Sequence, residues 1–477
     1  MRWVMRGIGF INVVILARLL TPEDFGIVAM SSIIIGFITS FSQMGTQQLL
    51  IREQEIDSAM INTAWTTNIL QGLVVAFALL ASSSAAAMYF GEDRLVPVIY
   101  VLSLSCFIGG FANMGTTLAR KELDFALDFR ANVYTRLVSF FVTLFLVVVL
   151  RDYWALVYGK LLGSIIGVII SYAIHPYRPR LCMASFRKYL KFSAAIIPLN
   201  VSRYLNERLD TIIVGGIASS TTLGIYNIAG ELSKLFTGEI AAPLGRGLMP
   251  GYAKLASEPK VLATAYTRVL SVSCAVIIPV GIGLCLVADL FVSLLLGSQW
   301  GEVVPYVQYL SIYATFLSVM RLMSTQILIV TGHESRAAKL SWLRAMTLLG
   351  AAMVAAHLYG PLGVAMVCPL VGLVMLPVTI FVLTKSIPIT VWEVMQSLWR
   401  PVFSVLVMAA VLLLVNDALQ VGALGTLLIL VLLGGSIYSM ALGITWYFSG
   451  KPEGLEYLVQ KFIKARLAPR PTIQSEP

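Results

Sequence analysis

Long apolar runs, interrupted by short polar clusters, set the pattern of this chain. Crossing the bilayer core as a helix takes about 20 apolar residues, and several charge-free runs are long enough for one crossing or for two with a turn between. The pattern predicts fourteen spans, at residues 3–20, 26–49, 61–89, 95–118, 131–150, 153–175, 191–217, 222–249, 264–297, 303–330, 337–357, 361–384, 401–416 and 424–448. Turn-favouring or helix-breaking residues separate them at Thr21-Pro22-Glu23-Asp24, Gly91-Glu92-Asp93, Gly297-Ser298 and Tyr359-Gly360-Pro361. The expected fold class is therefore an all-α polytopic membrane protein.

Composition agrees. Of 477 residues, 58% are hydrophobic and only 12% charged, more apolar surface than a soluble protein of this length can bury. The same figures exclude a disordered chain, a collagen-like fibre and a cysteine-stapled secreted module. Cys106, Cys274, Cys285 and Cys368 lie inside apolar runs and Cys182 outside, an odd set that reads as small hydrophobes rather than a disulfide framework. A net charge of +10 would suggest nucleic acid in a soluble protein, but here the basic residues map onto topology. Loops after odd-numbered spans hold only Arg94 and Arg151, whereas those after even-numbered spans hold clusters such as Arg178, Arg180, Arg187, Lys188 and Lys191. Positive residues stay inside, so both termini are expected in the cytoplasm. The opening segment is not a cleavable signal: Arg18 interrupts it and Pro22-Glu23-Asp24 offers no small-residue cleavage site.

Two other segments look interfacial. One begins near Thr390, whose hydroxyl has capping-box spacing to Glu393. The other is the tail, where Leu455, Leu458, Val459, Phe462 and Ile463 repeat at helical spacing.

The chain also repeats itself. A shift of 198 residues lays Leu19 to Ile27 onto Ile217 to Ile225, and a shift of 208 lays Pro97 to Leu104 onto Pro305 to Ile312. Each shift carries six spans, an even number, so the halves share one orientation and should be related by a pseudo-twofold axis along the membrane normal. The organisation expected is an N-terminal six-helix lobe at 1–175, a basic cytoplasmic linker at 176–190, and a second six-helix lobe at 191–384. Helices 13 and 14 with their preceding interfacial segment follow at 385–449, then an amphipathic cytoplasmic tail at 450–477. A cavity between the lobes is expected.

Ionisable residues inside the spans carry the candidate chemistry. On the basic side stand Arg6, Arg18, Arg136, Lys160, Arg203, Arg208, Lys234 and Arg321, and on the acidic side Glu207, Asp210, Glu231, Glu239 and Asp289. At mid-bilayer each would cost about 2.5 to 3.5 kcal/mol against lipid, so they must face protein or water. In span 7, Arg203, Glu207 and Asp210 fall within about 60° of one another at 100° per residue, with Asn200 and Asn206 beside them and Arg208 projecting away. One outcome is an internal ion pair between Glu207 and Arg203 that ties helices together; Glu231 and Lys234, three apart, could form another. The alternative is a cavity wall on which a carboxylate exchanges H+ or Na+ while arginine meets an anion. Guanidinium groups bind phosphate in bidentate fashion, so the modest basic excess suits a lipid-phosphate substrate. A drug cation would require acidic excess and aromatic lining. Substrate-binding candidates are thus Arg6, Arg18, Arg203, Arg208, Arg321 and Asn200, and ion-coupling candidates Glu207, Asp210 and Glu231. In span 6, Gly159, Gly163 and Gly167 mark close helix packing. His175, His333 and His357 have no metal-ligand spacing, and nucleotide and catalytic motifs are missing, so neither metal, cofactor nor enzyme activity is expected.

The stretch Leu16-Ala17-Arg18-Leu19-Leu20-Thr21-Pro22-Glu23-Asp24-Phe25-Gly26 resembles the first-turn signature of the polysaccharide-biosynthesis branch of the MOP exporter superfamily, the Wzx-type flippases. Asp210-Thr211-Ile212-Ile213-Val214-Gly215 with Leu223-Gly224-Ile225-Tyr226 resembles the matching stretch of its second half, and Leu296-Gly297-Ser298-Gln299-Trp300 the end of its ninth helix. The WzxC-like, colanic-acid-exporter group is the most similar, from about residue 3 to 385. The resemblance implies transport of an undecaprenyl-diphosphate-linked oligosaccharide repeat unit across the bacterial inner membrane, for exopolysaccharide or O-antigen/lipopolysaccharide biosynthesis, by alternating access of two six-helix lobes. It implies a cationic central cavity, ion-gradient coupling and, as partners, membrane lipids and a polysaccharide polymerase or export machinery, but no nucleic acid. Arg18 and Asp210 sit in the signature stretches. Family members usually carry a short cytoplasmic lead before the first helix, whereas Met1 here stands almost at the membrane. The alternatives are a multidrug cation antiporter of the same superfamily and, as an enzyme, a glycan polymerase or ligase.

Overall fold

The structure, a computed structural model, describes residues 2–122, 124–416, 422–452, 454–457 and 460; the side chains of 2–6, 125, 195, 239, 242–247, 249, 250 and 416 are not among those described. The helices are α1 (Arg2–Leu19), α2 (Pro22–Ser42), α3 (Thr46–Arg52), α4 (Ser58–Phe90), α5 (Leu95–Gly109), α6 (Gly115–Lys121), α7 (Phe125–Leu150), α8 (Trp154–Ile174) and α9 (Phe186–Ile217). They continue as α10 (Ser220–Leu255), α11 (Pro259–Leu286), α12 (Ala288–Leu295), α13 (Val303–Val330), α14 (Glu334–Thr384), α15 (Val391–Asn416) and α16 (Ala423–Phe448). Among the described residues no strand forms, and nine helices are long and apolar enough to cross a membrane unaided. The expected all-α polytopic membrane fold is what the chain adopts.

Every expected span falls on helix, with informative departures. Apolar run 26–49 is cut where Gly45 takes φ 67°, a left-handed conformation glycine adopts without steric penalty, leaving α3 as a separate turn. Run 95–118 likewise ends at Gly109 and resumes as α6, and run 264–297 divides into α11 and α12. Within α14, Gly360 at φ 62°, ψ −152° breaks the helix at the expected Tyr359-Gly360-Pro361 turn. The capping box at Thr390 and Glu393 is made, Thr390 Oγ1 donating to Glu393 Oε2 at 2.9 Å and Glu393 N–H to Thr390 Oγ1 at 3.2 Å. Its segment, though, runs without interruption into the expected thirteenth span as α15, because Pro401 is accommodated inside the helix. Phe462, Ile463, Leu458 and Val459 of the expected tail helix lie outside the described residues.

The chain gathers into two compact units, the first made of Met1–Ile228, Leu295–Trp300 and Ser341–Val364, the second of Ala229–Leu294, Gly301–Leu340 and Ala365–Pro477. In unit 1, α7 packs on α8, α4 on α5, and α2 on α9. A small core of Leu49, Leu50, Met60, Ala64, Met114 and Tyr189 sits under α3. In unit 2, α11 packs against α13 and α15, and α15 against α16. Its core runs from Tyr266, Leu270 and Ile277 to Met323, Ile327 and Val394, with Tyr438 donating to the Ala275 carbonyl at 2.7 Å.

At the start of α2, Thr21 and Asp24 form a reciprocal capping box, satisfying backbone N–H groups that a helix N-terminus otherwise leaves unpaired. Beside it Arg94 bonds Glu23 and Glu92. The hydrogen bond from Arg94 pulls the Glu92 carboxyl below its usual range, and the two carboxylates push the guanidinium further up.

Candidate functional site

The polar stripe expected on span 7 lies on α9, a helix carrying Pro198 in its interior. Arg203 is exposed and makes no hydrogen bond or ion pair among the described residues. Glu207 is half-buried one turn further on, and Asp210 is only 4% exposed. Asp210 is held by hydroxyls, not by a cation: Tyr226 donates to Oδ2 at 3.1 Å and Thr211 to Oδ1 at 3.4 Å.

Neighbouring side chains divide between packing and access. Asn200 donates through Nδ2 to the Gln43 carbonyl at 3.3 Å, and Arg208 through Nη1 to Asn227 Oδ1 at 3.2 Å. Asn206 is buried and fully engaged, donating to the Ser202 carbonyl at 2.8 Å and Ser341 Oγ at 2.9 Å while accepting from Arg344 Nε at 2.7 Å. Arg344 is absent from the candidates read in the sequence, although an arginine inside the 337–357 apolar run is a signal of the same kind. In unit 2, Glu231 is exposed and Arg321 half-buried, each engaged in further interactions. The side chains of Arg6 and Glu239 lie outside the described set.

Arg18 has a helix end to serve. It is exposed, and its Nε donates to the Leu295 carbonyl at 2.8 Å, at the last turn of α12. There all three stretches that carry the family resemblance meet inside unit 1. The Ala17 carbonyl accepts from both Trp300 Nε1 at 2.7 Å and Gln299 Nε2 at 2.8 Å, while Phe25 meets the Trp300 ring edge-on at 5.6 Å. A Cβ on Gly26 would lie 1.7 Å from the Ser220 carbonyl oxygen, and one on Gly224 would lie 1.9 Å from that of Pro22. The shift of 198 residues that relates the two halves carries Gly26 to Gly224 and Pro22 to Ser220, so this contact is reciprocal: each partner presents the same surface to the other, as at a twofold axis. Tyr89 adds a bond to the Ile212 carbonyl at 3.1 Å. The signature stretches thus build a helix crossing, and Asp210, bonded by Tyr226, joins the polar stripe of α9 to it.

Helices of membrane-crossing length with a buried carboxylate and a buried amide among them define a polytopic membrane protein. Solved structures agree on the architecture: the lipid II flippase MurJ in an inward closed conformation matches with a TM-score of 0.76 at 14% identity, over 94% of this chain and 98% of that one. An inward-facing multidrug resistance MATE transporter of the MOP superfamily matches with a TM-score of 0.63 at 15% identity, over 82% and 94%. The family model described as polysaccharide biosynthesis protein matches residues 15–305, more than half of the chain, and the protein belongs to that family. The lipopolysaccharide biosynthesis protein WzxC of Escherichia coli (strain K12) is 24% identical over 409 residues, which span 84% of this chain and 82% of that protein.

Proposed function

We propose that this protein is a flippase that moves a polyprenyl-diphosphate-linked oligosaccharide from the cytoplasmic to the periplasmic leaflet of the bacterial inner membrane, feeding surface polysaccharide synthesis. Membership of the polysaccharide biosynthesis family supports a glycan cargo, and the MurJ-like architecture supports a flippase. The observation that carries the site is Arg203, a guanidinium near the middle of the 191–217 span with no ion pair among the described residues. Facing lipid it would cost about 2.5 to 3.5 kcal/mol, so it faces water, where a diphosphate supplies the missing counter-charge.

In this reading the six-helix halves rock about a pseudo-twofold axis, for which the reciprocal Gly26 and Gly224 contact is the support, and both termini lie in the cytoplasm. The diphosphate meets Arg203, with Arg208 and Arg321 as further cations along the path, while the prenyl chain stays in lipid. Nothing is made or broken covalently. Asp210, with Glu207 and Glu231 as the other candidates, couples movement to an H+ or Na+ gradient, and the product passes to polymerase or export machinery.

The test uses proteoliposomes holding the full chain and its lipid-linked cargo. An Arg203→Glu variant should lose transport by about 100-fold or more, since a charge-assisted phosphate bond worth about 1.5 to 3 kcal/mol becomes a repulsion. Asp210→Asn should keep binding but lose the acceleration given by an imposed gradient. Unchanged transport by Arg203→Glu overturns the site, and unchanged gradient response by Asp210→Asn together with Glu207→Gln overturns the coupling.

A further inference from the structure

Unit 1 contains a cavity of about 360 Å³, within the range of about 300 to 1,000 Å³ usual for small-molecule sites. Its walls come from the end of α2, from α3, α4 and α5, and from α9, and its polarity comes from Gln43, Gln71, Asn68, Asn200 and their neighbours. Among the described residues no charged and no aromatic side chain lines it. A phosphate would call for cations and a prenyl chain for an apolar wall; amides suit a ligand that donates and accepts hydrogen bonds without charge.

The amides are held in place. Thr46 Oγ1 donates to Asn68 Oδ1 at 2.7 Å, and the Met44 N–H to Gln71 Oε1 at 3.4 Å, leaving each amide N–H2 with no partner among the described residues. Asn200 is the reverse case: its Nδ2 bonds the Gln43 carbonyl at 3.3 Å and its Oδ1 remains to accept. The walls are rigid because α4 and α5 meet backbone to backbone; a Cβ on Gly110 would stand 2.8 Å from the Asn68 carbonyl oxygen, and one on Gly72 3.1 Å from that of Cys106. Gly109, on the same wall, has nothing within 4 Å of where its Cβ would be, so the space beside it is open.

We propose that this cavity binds a neutral sugar, and that the sugar is the one attached directly to the diphosphate. A pyranose hydroxyl both donates and accepts, which matches two amide N–H2 groups and an amide oxygen among the residues lining one cavity. The placement follows from α9: Asn200 and Arg203 are three residues apart and neighbours on the helix surface, about 5 to 6 Å between Cβ atoms. A diphosphate on Arg203 therefore sets its first sugar against Asn200. The inference rests on the flippase reading above and adds what part of the cargo is recognised, and where.

Binding by the full-length protein in nanodiscs is measured by native mass spectrometry with two probes, undecaprenyl diphosphate and undecaprenyl diphosphate bearing one hexose. Wild type should bind the hexose-bearing lipid at least about tenfold more tightly. Gln71→Leu, which removes an amide, and Gly109→Met, which fills the open space, should each lower that affinity about tenfold while leaving the sugarless lipid as in wild type, with the melting temperature unchanged. Equal affinity of wild type for the two lipids overturns the sugar site and leaves the flippase standing, as does equal weakening of both lipids in both variants. Wild type that binds neither lipid overturns the flippase reading, and this one with it.

Discussion

Gly26→Val and Gly224→Val should each leave almost no folded protein in the membrane, whereas Gly283→Ala should leave the yield unchanged. At the first two positions a Cβ would fall 1.7 Å from the Ser220 carbonyl oxygen and 1.9 Å from that of Pro22. Both obstacles are backbone, so no side chain can swing aside. Ordinary overpacking costs about 1 to 3 kcal/mol because rotamers and backbone give way slightly. Here two capped helix starts would have to part by more than an ångström, which exceeds that range and consumes much of the roughly 5 to 15 kcal/mol that holds a protein together. Gly283 has open space where its Cβ would be, and in mid-helix alanine is favoured over glycine by about 0.5 to 1 kcal/mol. Fluorescence-detected size-exclusion chromatography of tagged variants separates the two outcomes. Monodisperse Gly26→Val protein at wild-type yield would contradict the crossing.

A comparable loss is expected in unit 2 from Glu456→Ala. Arg400 is 3% exposed, with Nη1 on Glu456 Oε1 at 2.7 Å and Nη2 on Ser271 Oγ at 3.5 Å. The pair stands beside a cavity of about 480 Å³ whose lining includes Arg268, Ser397, Trp399 and Ser449. Removing the carboxylate strands a buried guanidinium, and breaking buried pairs in this way costs about 3 to 5 kcal/mol. Replacing both members by apolar residues removes the desolvation penalty together with the attraction. Arg400→Met with Glu456→Leu should therefore melt well above Glu456→Ala alone, and near wild type. Thermal unfolding of the three proteins decides it; an additive double variant would show that the pair is not coupled.

Much of this fold was legible because lipid is a demanding solvent. A backbone in hydrocarbon must satisfy its own hydrogen bonds, so an apolar run of sufficient length has to be helix. The turns at Thr21-Pro22 and Tyr359-Gly360-Pro361 were readable for a local reason, residues that cap or break a helix. The interruption at Gly45 was not, since hydropathy is blind to a φ of 67° inside an apolar stretch.

The site was legible by residue type and not by partner. Arg203, Arg208 and Arg18 look alike in a sequence, yet the first makes no bond among the described residues, the second meets Asn227 and the third meets the Leu295 carbonyl some 277 positions away. The amide cavity escaped notice because glutamine and asparagine carry no charge to stand out from a polar helix end, and its walls come from four separate segments of the chain.

The glycine crossing and the amide cavity are built on the same helices. On α2 the crossing uses Gly26 and the cavity Thr39, so about 20 Å of helix separates them at 1.5 Å per residue. On α4, Phe90 packs against Gly215 near one end while Asn68 and Gln71 serve the cavity nearer the other. Fastening and cargo reading therefore answer to different residues. Engineering can exchange glutamines and asparagines at the wet end to alter the glycan preference proposed above, and the joint at Gly26 and Gly224 will not register the change.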